Sequence, residues 1–85
     1  MSQTVSAGRI VLYTLNAADA DNINHTHVMK RNPAREGDVY PAIVVRVWTA
    51  PCAQLQVFYD GEGTYWATSR TEGDQPGTWH WPPRT

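Results

Sequence analysis

One cysteine in 85 residues, Cys52, leaves nothing for a disulfide framework or a cysteine-built zinc site and fits a reducing compartment. Surplus charge is equally scarce. Seven Lys and Arg against eight Asp and Glu give a formal net charge of −1, so no global positive field exists to hold a nucleic-acid backbone, and sequence-independent DNA binding is not expected. No apolar run approaches the roughly 20 residues that span a bilayer, and Met1 to Ala7 lacks the positive start and apolar stretch of a secretory signal. The expectation is a cytoplasmic chain without a membrane segment. It folds as a single domain over residues 1–85, with 1–7 flexible and a thin stability margin, because a domain this small buries only about 60% of its unfolded surface. What is abundant is aromatic bulk, with four Trp and four Tyr beside a single Phe.

Arg9 to Tyr13 is a β-branched apolar run and reads as a first strand. Asn16 with Asp19 three residues on resembles an N-cap and its acidic third position, and Leu15, Ala20 and Ile23 give a narrow apolar stripe to a helix of about two turns. Residues 25–38 lack a hydrophobic period and form a loop. That loop carries the one local basic patch, Lys30, Arg31 and Arg35 with His25 and His27, and no acidic residue lies between Asn22 and Arg35.

Val39 to Thr49, Gln54 to Tyr59 and Thr64 to Ser69 follow as three strands of a meander. The second and third are joined by Asp60-Gly61-Glu62-Gly63, whose glycines could supply the positive φ of a tight hairpin. A last short strand, Thr78 to Trp81, is stopped by Pro82-Pro83. Alternation places Ile43, Val45, Val47, Leu55, Val57, Tyr59, Tyr65 and Ala67 on an inner face that Ile10 and Leu12 close. Arg46, Trp48, Phe58 and Trp66 then share the outer face.

The phrasing Gly37-Asp38-Val39-Tyr40-Pro41-Ala42-Ile43-Val44, Leu55 to Gly61 and Thr64-Tyr65-Trp66 resembles strands two to four of Tudor-like and other SH3-like barrels. The expected fold is therefore mostly β, a small SH3-like β-barrel of about five strands with one short helix inserted after the first. Most of the chain also resembles a family of small uncharacterised proteins of tailed phages and prophages. The matching stretches are Gly8 to Val11, Tyr13-Thr14-Leu15 with Asp19-Ala20 and Ile23-Asn24, Glu36 to Trp48, Leu55 to Ser69 and Pro76 to Pro83. The loop at 25–35 is shorter here than in that family. This resemblance implies an origin and an infected bacterial host, and carries no activity with it.

Three readings of the outer aromatic face stand side by side. The helix or Trp79 and Trp81 cover it as a second small core, or it is a subunit interface, or it stacks a planar ligand whose charge is met by Arg46 or Arg70. Lys30, Arg31 and Arg35 are either solvated or neutralise phosphates. Together these eight residues, Arg46, Trp48, Phe58, Trp66, Arg70, Lys30, Arg31 and Arg35, are the candidate ligand set. His25-Thr26-His27 has alternate spacing, but His80 is the one further histidine, so no metal and no cofactor are expected. Neither Cys52 nor the Asp60/Glu62 pair has a partner placed to make a catalytic set, and Asp60 and Glu62 are the sole acids available to an aromatic cage for a methylated cation. The function expected is a non-enzymatic phage accessory protein. It either sequesters a nucleotide-type host defence signal or serves as a protein-interaction or virion-associated module, meeting a host or phage protein or another copy of itself.

Overall fold

The computed structural model describes residues 4–26 and 30–83. Five strands form one antiparallel sheet: β1 (Ile10–Thr14), β2 (Val39–Thr49), β3 (Cys52–Val57), β4 (Tyr65–Arg70) and β5 (Trp79–His80), in the spatial order β4-β3-β2-β1-β5. One helix, α1 (Ala17–Asn24), follows β1. The fold is thus mostly β, five strands with a short helix after the first. Among the described residues β4 and β5 share no ladder, and a single bridge between Glu72 and Trp79 brings the two ends near each other, so the sheet stays open rather than closing as a barrel.

The helix starts where its capping chemistry dictates. Asn16 accepts a hydrogen bond from the Asp19 amide at 2.7 Å, and the Asp19 carboxylate accepts one from the Asn16 amide at 3.0 Å. Ala20 and Ile23 are buried against the sheet, so eight residues of weak intrinsic helicity are held by packing.

Two β-bulges decide which side chains enter the core. On β2 the register jumps between Val44 and Arg46, leaving both Val45 and Arg46 exposed opposite Gln54. The buried set on β2 is therefore Ala42 and Val44, with Val47 half-buried beyond the bulge, and the expected inward Ile43 and Val45 face the other way. On β4 the register shifts between the Leu55 and Ala53 pairings, and Ser69 takes φ 57°. Gln54 plugs this bulge, its Oε1 accepting from the Ser69 amide and, at 2.8 Å, from Thr68 Oγ1. The consequence is that Arg70 pairs with Ala53 and points inward.

β1 is also reversed relative to expectation. Val11 and Tyr13 are buried, Ile10 is 59% exposed and Leu12 is half-buried. The run Ile-Val-Leu-Tyr has no polar residue to mark a face, and Tyr13 decides the matter because its hydroxyl has a partner only on the helix side. Trp79, 1% exposed, fills the core beside Tyr13, with its indole Nε1 donating to the carbonyls of Pro51 and Arg70, each at 3.1 Å. Val5, from the expected flexible lead-in, is buried with it. The Ala50–Pro51 peptide is cis.

At the centre of the core sits a carboxylate. Asp19 is fully buried and accepts from the Tyr13 hydroxyl, from the Tyr65 hydroxyl at 2.8 Å and from Arg70 Nη2 at 2.9 Å, besides the Asn16 amide. Four donors saturate its two oxygens, and that removes most of the penalty of burying a charge. Burial, then the bond to Asp19, pushes the Tyr13 phenol well above its ordinary value near 10, and burial raises Tyr65 as well. A phenol of raised folded pKa holds its proton in the fold after the unfolded chain has lost it, so the contribution of these phenols to the unfolding free energy is constant below about pH 10 and falls above it. Urea midpoints measured above about pH 10 should show that fall, and Tyr13→Phe should lessen it, leaving the share that Tyr65 carries.

Candidate functional site

The register fixes the composition of the outer face. Ile10 pairs with Ile43, Ile43 with Gln56 and Gln56 with Trp66, so these four form one row across β1, β2, β3 and β4. Phe58 lies two residues beyond Gln56 on the same side, its amide donating to Pro41 O at 2.9 Å, which places its ring diagonal to Trp66. Trp66 is 56% exposed and Phe58 42% exposed. Nothing among the described residues covers them, because α1 packs on the opposite face and Trp79 is in the core. Trp81 packs edge-on against Trp79, with ring centroids 5.4 Å apart, and Arg9 lies 4.9 Å over its ring. The reading in which the helix or the C-terminal tryptophans cap this surface is thereby corrected.

Trp48 shares the face but not the cluster. It lies two residues past Arg46, which opposes Gln54, so the strand spacings put it about 16 Å from Trp66. Arg46 stacks its guanidinium over the Trp48 ring at 3.9 Å, and both side chains are exposed.

The remaining expected cations are dispersed. Arg70 is inward, bound to Asp19 and 5.9 Å over the Tyr13 ring. Arg31 donates to the carbonyl and side-chain oxygens of Asn24 at the C-terminus of α1, a position where a cation meets the helix dipole. The Arg35 amide donates to Asp38 Oδ2 at 2.9 Å, and the residue is exposed. Lys30 is exposed in an open cleft of about 410 Å³ formed where residues 30–32 pair with the 60–62 turn. Lys30 and Arg31 face Asp60 and Glu62 there, so the cleft carries both signs and offers no net attraction to phosphate.

That pairing gives Gly61 a different role from the one its sequence context suggests. Its φ is not positive. A Cβ at Gly61 would instead lie 2.8 Å from both Arg31 Cα and Lys30 O, so glycine is required for close backbone approach. Asp60 accepts from Asn32 Nδ2 at 2.8 Å, which gives one of the turn's two acids a structural role. His25 Nδ1 sits 2.8 Å from Asp21 O, His27 lies outside the described residues, and among the described residues no three His, Cys, Asp or Glu side chains group as metal ligands. No described helix is long and apolar enough to cross a membrane.

The outward Ile10, Ile43, Val39 and Val45 were not legible in advance, since uniformly apolar strands carry no face marker. With them, the candidate site becomes a broad apolar sheet face around Trp66 and Phe58. No family model, curated protein or solved structure matches this chain.

Proposed function

We propose that this chain is a non-catalytic binding module that docks a protein surface with the outer face of its sheet. The observation that carries this reading is the separation of its aromatics: Trp79 fills the core while Phe58 and Trp66 stand uncovered with Ile10 on one side, around a half-buried Ile43. Exposed apolar side chains gathered on one sheet face are unusual for a soluble domain and mark interaction surfaces. The face is broad and hydrophobic, which suits a protein partner better than a small polar one.

The reading separates recognition from stability. In dilute solution Trp66→Ala is expected to shift the unfolding free energy by no more than about 0.5 kcal/mol, as for a surface position. The same substitution should sharply reduce binding of the hydrophobic dye anilinonaphthalene sulfonate to the folded chain. A loss of several kcal/mol would give Trp66 an internal packing role and end the proposal.

A second reading, sequestration of a nucleotide-type signal, is favoured by the exposed Arg46–Trp48 pair, where a base could stack beside a cation. Calorimetry against cyclic nucleotides and ADP-ribose derivatives tests it. Heat that Trp48→Ala removes would support this reading, and silence across the panel would eliminate it.

A further inference from the structure

We propose that the occupant of the outer face is a second copy of this chain, packed sheet against sheet about a two-fold axis that runs between the faces parallel to the strands. This rests on the docking reading above and names its partner. Three observations carry it.

The first is area. Ile10, Val39, Val45, Trp48, Phe58 and Trp66 are each between 42% and 59% exposed, and together they present on the order of 600 Å². A stable interface of ordinary size takes roughly 800 Å² from each partner, and Leu12, Pro41, Ile43 and Gln56 lie between the six.

The second is charge. Arg46 is the one formally charged residue that the ladder registers place on this face among the described residues, and its guanidinium already stacks on Trp48. A strongly acidic partner would find Arg46 alone and a strongly basic one no complementary charge on the ladder positions, and the net charge of −1 gives two copies little to repel.

The third is shape. A two-fold interface must be self-complementary. The row Ile10, Ile43, Gln56, Trp66 has branched aliphatics at one end and an indole at the other. Rotation about an axis over the middle of the row lays Trp66 on the partner subunit's Ile10 and Ile43, so each wide ring meets a lower surface. Sheets stacked this way pack about 10 Å apart, with strands aligned to within about 30°.

Sedimentation equilibrium of the full chain from low micromolar to near-millimolar concentration tests the proposal. The expected result is a mass rising from 9.5 kDa to twice that value, with the Trp66 indole becoming shielded from acrylamide in step. Trp66→Glu and, independently, Ile10→Glu should hold the chain at the monomer mass while far-ultraviolet circular dichroism stays native. Two variants at opposite ends of the row guard against one failing to fold. A chain that stays monomeric throughout, with Trp66 freely quenched, would overturn the second-copy proposal while leaving an open docking face. Trp66 shielded within a monomer would overturn the docking reading itself.

Discussion

Asp19→Ala is expected to unfold the domain at room temperature or leave it barely folded. The substitution removes the acceptor shared by Tyr13, Tyr65, Arg70 and the Asn16 amide. It leaves two phenols and a guanidinium inside without their partner. Breaking a buried charge pair by deleting one member costs about 3–5 kcal/mol, and the orphaned hydroxyls add to that. Domains have about 5–15 kcal/mol in total, and one of this size lies at the lower end. Thermal unfolding followed by near-ultraviolet circular dichroism checks the result. The combined replacement Asp19→Leu with Arg70→Met should recover part of the loss, because removing both charges costs less than stranding one. Single variants that melt within a degree or two of the parent would show that the carboxylate is not the hub of the core.

Trp79→Ala carries the second large effect. Its ring is the largest fully buried side chain and is flanked by Tyr13 and Trp81. It also donates to two carbonyls from separate segments, at Pro51 and Arg70, tying β5 to the turn before β3 and to the end of β4. Truncation of a buried tryptophan costs about 3–5 kcal/mol, whereas Trp66, of identical chemistry, costs almost nothing when the chain is dilute. Urea titrations of the two variants side by side measure the contrast. Equal losses would mean that the sheet has no free face.

The sequence made the element list readable for physical reasons. The helix carried its own start signal in Asn16 and Asp19, and strong alternation around Leu55, Val57 and Tyr65 fixed the inner faces of β3 and β4 correctly. Where polar residues alternate with apolar ones, the chain states its orientation. Ile10 to Tyr13 and Ala42 to Val45 are apolar throughout and state none, and in the structure both lie one residue out of phase with the expected alternation.

Bulges hid the rest. The extra residue at Val45 inverts β2 part-way along, and the left-handed Ser69 turns Arg70 from the ligand side to the core. Neither has a local signature, since Gln54, which holds the second bulge, is distant in sequence from Ser69. The Asp19 hub was half visible as a capping residue, but its partners Tyr65 and Arg70 lie 46 and 51 positions away. Long-range polar pairing of this kind becomes evident only once the strands are in register.

Hydroxyl-radical footprinting of the folded chain, read tryptophan by tryptophan over a dilution series, tests the two-faced sheet most directly. In the dilute limit Trp48 and Trp66 should be oxidised rapidly and Trp79 protected until the chain unfolds. Trp66 protected at every dilution, or Trp79 reacting as fast as Trp66, would contradict it.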